Sequence, residues 1–163
     1  MRDADRKIGS FMIGVGAIIE LKGTNKILIG KRDTHEVHHG EWEITYGRID
    51  HHEDLTVALK REVFEETGIT DLKIKTLNRI WHVYRGNKHV DTEIFGFTFV
   101  CETEEKNPKM SAEHSQFMWI EPEKAIEMIT VPGIKQDLEL YIKNKKVKTN
   151  VTISDLNNQT TVY

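Results

Sequence analysis

Apolar and β-branched residues run almost unbroken from Phe11 to Leu21, the pattern of a strand buried on both faces. Lys22-Gly23-Thr24-Asn25 is a turn signal. Lys26 to Gly30 returns as a second strand, so the two predict a hairpin. Trp42 to Tyr46 predicts a short third strand, and a helix follows from about Asp54 to Thr67. Acids at Glu53 and Asp54 suit the positive N-terminal end of that helix, and Gly68 suits its C-terminal stop. A long strand is expected over 71–85, with Leu72, Ile74, Ile80 and Val83 in the core. After a Gly86-Asn87 turn another strand is expected over 89–101, where Phe95, Phe97 and Phe99 share one face. A charged loop over 102–112 leads to a short strand from Phe117 to Ile120. Pro122 opens a helix over 122–129, and Ile134, Leu138, Tyr141 and Ile142 form the apolar stripe of a last helix over 133–144. Residues 1–10 read as a loose arm and 145–163 as a polar tail. An added strand at 149–153, given to a partner chain in a homodimer, is the alternative for that tail. Interleaved strands and helices with hairpins predict one domain of α/β (α+β) class, a mixed sheet covered by helices on both faces.

The central helix breaks the usual rule of amphipathicity. At about 100° per residue, Leu55, Ala58 and Leu59 share a stripe that continues into Glu62, Glu65 and Glu66. An ordinary surface helix keeps its acids on the opposite, wet face. Like charges at this spacing cost about 0.2–0.5 kcal/mol per pair even when exposed, and burial raises that cost. A bound divalent cation would turn the repulsion into a site. Val57 and Phe64, seven residues apart, predict a second apolar ridge, and hence a helix sandwiched between two layers.

Composition narrows the class without naming a chemistry. The 163 residues give room for a core, and 38% hydrophobic with 30% charged residues is a soluble balance. A net charge of −3 gives no basis for broad binding to duplex nucleic acid or an anionic membrane. The lone Cys101 excludes an internal disulfide and suits a reducing, cytoplasmic setting. The first ten residues carry no apolar h-region, and no apolar run approaches the ~18 residues of a membrane span. Five of the eight histidines (His35, His38, His39, His51 and His52) fall within eighteen residues, yet their spacing matches no closed zinc site. They read as solvated loop residues or phosphate contacts. Lys31-Arg32 at the end of the second strand could also reach a phosphate.

Glu53, Glu62, Glu65 and Glu66 lie on one loop–helix unit with Arg61 among them, and Gly47 sits in the turn just upstream. Hard oxygen donors of this kind suit Mg²⁺ or Mn²⁺, and such a cation suits phosphate chemistry. The full pattern is Gly47, five residues, Glu53, seven residues, then Arg61-Glu62-Val63-Phe64-Glu65-Glu66-Thr67-Gly68-Ile69. It resembles the 23-residue box of the Nudix hydrolases, of the MutT-like kind, with every defining position filled. Trp42-Glu43-Ile44, Lys31-Arg32 and Glu113 six residues before Trp119 are similar to features that flank the box in that family.

The resemblance implies an α/β/α sandwich and Mg²⁺-dependent cleavage of a pyrophosphate bond in a nucleoside diphosphate linked to another moiety. A nucleoside triphosphate or related nucleotide is the expected substrate. By position, Glu62, Glu65, Glu66 and the Gly47 carbonyl would hold metal, and Glu53 would sit beside Arg61. Glu62 and Glu113 are both candidates for the general base. Thr45-Tyr46 stands where relatives carry Pro-Gly, and His52 where they carry glycine, so Tyr46 and His52, with Arg32 and Tyr84, are the candidate substrate contacts. Two other readings share the fold. A nucleotide-sensing module without turnover would be expected to lose box acids. An isoprenoid diphosphate isomerase would need an active-site cysteine.

Overall fold

The computed structural model describes residues 11–33 and 39–147. A seven-stranded mixed sheet forms its middle layer, and β1 (Met12–Leu21) is the strand on which the others are hung. One edge of β1 is shared between two antiparallel partners, β2 (Ile27–Arg32) near Glu20 and β4 (Thr45–Arg48) along Gly14 to Ala17. Its other edge pairs in parallel with β6 (Glu93–Thr103), which in turn pairs antiparallel with β5 (Lys73–Tyr84). β3 (Trp42–Glu43) and β7 (His114–Ile120) both pair with β2.

Helices cover both faces, as the apolar run of β1 requires. On one side Val15, Ala17 and Ile19 pack with Ala58, Leu59 and Val63 of α1 (Leu55–Thr67). On the other, Ile18 and Ile29 pack with Ala125 of α2 (Pro122–Met128) and Ile134, Leu138 and Tyr141 of α3 (Pro132–Val147). The expected hairpin, the proline-led α2 and the glycine stop of α1 are all present; Gly68 takes φ 70°, the left-handed conformation that glycine adopts without strain. Among the described residues no helix is long and apolar enough to cross a membrane.

Four expectations need correction. The strand expected over Trp42 to Tyr46 is two strands broken at Ile44, because β3 stays with β2 while β4 crosses to β1. α1 is not sandwiched: Val57 and Phe64 are 53% and 54% exposed, so only its Ala58–Leu59–Val63 face is buried. In β5 the fully buried side chains include Asn78 and Arg79, whereas Ile74, Ile80 and Val83 are half-buried. Register shifts at Ile74/Thr76 and Leu77/Arg79 turn the polar pair inward. The tail expected from residue 145 begins inside α3, where Lys145 bonds the Tyr141 hydroxyl (2.9 Å) and Glu20 (3.4 Å). The expectations for residues 1–10, His35, His38 and the strand at 149–153 lie outside the described residues.

Candidate active site

Where β4 leaves the sheet and runs toward α1, the glutamates separate into two groups. Arg61 gathers the first. Its Nε and Nη2 donate to the two oxygens of Glu53, each at 2.8 Å, a fork-on-carboxylate pair. Its Nη1 donates to Glu62 Oε1 (3.0 Å) and Glu65 Oε2 (3.1 Å), and Nη2 also reaches the Arg48 carbonyl (2.9 Å). The Arg61 contact, with the Asp50 backbone N–H, holds the Glu53 carboxyl down at about 2. Arg61 is thus a clamp between the loop and the helix, with its donors directed at protein oxygens.

Glu66 belongs to the second group, one turn further along α1. It is 7% exposed, and its Oε2 is buried without a hydrogen-bond partner. Burial pushes its carboxyl up to about 9, with the charges of Glu43, Glu113 and Glu62 adding to the effect. A hydrogen bond from the Thr45 hydroxyl offsets part of it. Four carboxyl groups from three stretches of chain (Glu43, Glu62 and Glu66, and Glu113) therefore lie near enough to act on one another. A buried oxygen without a donor, among like charges, is a chemistry that a bound cation would satisfy.

Each member is carried there by pairing distant in sequence. Glu62 is drawn to β4 by the Arg48 backbone N–H, which donates to its Oε1 at 2.9 Å. Gly47 makes room at that crossing: a Cβ there would overlap the Glu62 carboxyl, which would have to move aside. Glu113 comes from the end of β7, where Arg32 stands opposite His114 and the Asp33 N–H donates to the Glu113 carbonyl (2.8 Å). Glu43 on β3 accepts from Arg32 Nη1 with both oxygens (2.9 and 3.0 Å) and lies 3.1 Å from His114 Nε2. Arg32 also lies 3.6 Å from Glu113.

A cavity of about 1020 Å³ opens over this group. Of the expected site residues, Arg32, Tyr46, Gly47, Glu62, Glu66 and Glu113 line it. Glu53, Arg61 and Glu65 are not part of its lining. His52 and Tyr84 do not reach it. His52 is exposed on the turn before α1 with φ 66°, occupying with a side chain a conformation that glycine favours. The Tyr84 hydroxyl instead donates to Glu93 (3.0 Å).

Sequence reasoning passed over three contributors. Glu43 was seen only as part of a flanking tripeptide. Trp81 and Arg85 both line the cavity. The signal for Trp81 was present in Gly14 and Gly16, two glycines two apart in a strand of β-branched residues. A Cβ at Gly14 would meet the Trp81 indole, and one at Gly16 the Tyr46 ring.

Among the described residues no three His, Cys, Asp or Glu side chains are gathered closely enough to ring one ion. Arg61 holds Glu65 and one oxygen of Glu62 to itself. The donor chemistry nonetheless fits a hard divalent cation, and the orphaned Glu66 oxygen is the observation that carries the fit. Cys101 is fully buried in β6, and burial pushes its thiol up to about 12, which removes it as a nucleophile.

Comparison with known proteins agrees with the geometry. Residues 10–139 match the family model of the NUDIX domain. A 47-residue segment is 43% identical to the 8-oxo-dGTP diphosphatase of Buchnera aphidicola subsp. Acyrthosiphon pisum, covering 29% of this chain and 38% of that relative. The match thus spans well under half of the relative's length. A NUDIX hydrolase from Nitrosomonas europaea superposes with a TM-score of 0.77 at 16% identity, over 96% of this chain and 81% of that one. The MutT protein of Methanosarcina mazei Go1 superposes at 0.69 with 23% identity, over 86% and 99%. At such identities the structural likeness shows the fold.

Proposed function

The chain belongs to the Nudix family, and on that premise we propose that it is a divalent-metal-dependent pyrophosphohydrolase acting on a nucleotide. The observation that supports this most is Glu66: a buried carboxyl with one oxygen lacking a partner, lining a cavity together with Glu62 and Glu113 and acted on by their charges and that of Glu43. The proposed bond cleaved is the pyrophosphate linkage of a nucleoside diphosphate joined to another moiety. A nucleoside triphosphate is the favoured substrate class, in keeping with the diphosphatase to which the 47-residue segment is similar. The reading takes the whole chain as one such domain in a cytoplasmic setting.

In this reading Glu62, Glu65, Glu66 and the Gly47 carbonyl hold Mg²⁺ or Mn²⁺. A cation bound there would supply charge neutralisation at the phosphoryl oxygens and a more acidic water. The chain's own residues do the rest. Arg61 positions Glu53, Glu62 and Glu65 and brings the loop and the helix together. Arg32 adds positive charge to the cavity wall for a phosphate, while Glu43 holds its guanidinium in place. Tyr46 forms part of the wall.

Of the two candidate bases the geometry favours Glu113. One oxygen of Glu62 is committed to two donors, whereas Glu113 is half-exposed at the cavity. Its carboxylate can take a proton from water and release it to solvent.

Two variants test the assignment together. Glu113→Gln is expected to lower kcat by about a hundredfold while Mg²⁺ still raises Tm as in the parent protein. Glu62→Gln is expected to lose both activity and the Mg²⁺-induced rise. An unchanged kcat in Glu113→Gln would transfer the base to Glu62. An unchanged Mg²⁺ response in Glu62→Gln would remove that residue from the metal set.

A further inference from the structure

A second acid sits on an apolar stripe, far from the box. Ile134, Asp137, Leu138 and Tyr141 are spaced i, i+3, i+4, i+7 along α3, and all four are buried. Asp137 is fully buried. Its Oδ1 accepts from Arg79 Nε on β5, and its Oδ2 accepts from the Tyr46 hydroxyl on β4 and the Thr98 hydroxyl on β6, the last at 3.0 Å. Arg79 is held in turn by Gln136 Oε1 (3.1 Å) and the Gly133 carbonyl (2.9 Å), so the counter-ion is as fixed as the carboxylate. The Thr98 oxygen, while donating to Asp137, accepts from the Trp81 indole N–H at 3.1 Å.

Tyr46 and Trp81 are therefore tethered to the same carboxylate, one directly and one through a hydroxyl. Their rings stand edge to face, 6.1 Å apart at 73°. Both line the cavity beside Glu62 and Glu66. Room for them is cut into the sheet by Gly14, Gly16 and Gly96, since a Cβ at any of the three would overlap one of the rings. Burial and the Asp137 charge push the Tyr46 phenol well above its usual value, which keeps it a donor.

A buried ion pair of this kind is a poor device for stability. Apolar residues of similar volume do as well or better. Its distinctive property is direction: it fixes where the Tyr46 hydroxyl and the Trp81 indole N–H lie, and so how the two side chains are aimed in their glycine-lined slots.

We propose that Asp137 is a positioning residue for substrate recognition: through Tyr46 and through Thr98–Trp81 it fixes the two aromatic walls against which the base of a bound nucleotide rests. The inference rests on the reading of the cavity as a nucleotide site. Asp137 then governs affinity, while the chemical step belongs to the glutamates.

The test uses the full-length protein with Mg²⁺ and dGTP, and the nonhydrolysable α,β-imido analogue of dGTP for calorimetric binding. Asp137→Asn and Thr98→Val are each expected to raise KM and the analogue Kd about tenfold, with kcat changed less than about threefold. Thr98→Ser restores the hydroxyl and is expected to return both constants to within about twofold of the parent. If Asp137→Asn does not fold, the Thr98 pair decides. A lowered Tm with unchanged KM and Kd would overturn the proposal and leave Asp137 as an anchor of α3. Analogue binding that shifts in the variants, in a protein that turns over no nucleotide, would sink the hydrolase reading and keep this one. Failure of the parent protein to bind the analogue would overturn the base contact.

Discussion

Glu66 carries the sharpest consequence at the scale of one residue. Burial pushes its carboxyl up to about 9 in the folded chain, against 4.5 as its ordinary value. Between those values the folded state binds more protons than the unfolded state, so stability falls as pH rises. The contribution is intact below pH 4.5, is lost progressively through the interval, and is gone above pH 9. Thermal melts of Glu66→Gln and the parent protein in a chelator should therefore coincide near pH 4.5. They should diverge upward in pH, the variant melting about 5 °C or more higher at pH 9. A difference independent of pH would contradict the burial of an uncompensated charge. Cation binding must displace the Glu66 proton, so Mg²⁺ affinity should strengthen as pH rises from 6 to 9, a trend that Glu66→Gln abolishes. The same variant should lose turnover by about a hundredfold or more. This residue was legible because three glutamates at i, i+3, i+4 on an apolar stripe make no sense on a wet face. Asp137 followed the same rule on α3 and was missed, because Leu138 and Tyr141 beside it made the stripe look complete without it.

At the scale of the element, α1 shows what periodicity can and cannot tell. Its bounds and its glycine stop follow from local chemistry, and so does its buried face at Ala58 and Leu59. Val57 and Phe64 misled, because a spacing of seven marks a ridge without saying that anything lies against it; both face solvent. Leu59→Ala should therefore destabilise by about 2–5 kcal/mol, and Val57→Ala by less than about 0.5 kcal/mol. Both are readable from urea unfolding midpoints at constant m. Comparable losses in the two variants would restore the sandwiched helix. β5 failed for a different reason: its register shifts invert the alternation from which core positions are read, turning Asn78 and Arg79 inward. Trp42 to Tyr46 failed because a break at one residue, Ile44, leaves no mark in composition.

At the scale of the whole molecule, the site exists because the sheet is shared. β1 divides one edge between β2 and β4, which delivers Gly47 and the Arg48 N–H to α1. The β2–β7 pairing delivers Glu113 and His114 from more than forty residues beyond the box. No local pattern encodes either meeting, so the box acids could be found in the sequence while their partners Glu43 and Glu113 could only be guessed or overlooked. In the fold Arg61 gathers Glu53, Glu62 and Glu65, while the charges of Glu43, Glu113 and Glu62 act on the buried Glu66, an arrangement that spacing along the chain does not show. The central claim is that these acids and the cavity above them hydrolyse a nucleotide with a divalent cation. The direct measurement is release of phosphate or pyrophosphate from a panel of NTPs, dNTPs, ADP-ribose, dinucleoside polyphosphates and NADH, with Mg²⁺ or Mn²⁺ and with chelator. The account predicts metal-dependent turnover of at least one member, lost in Glu66→Gln. Absence of turnover across the panel with either metal, or equal turnover in chelator, would contradict it.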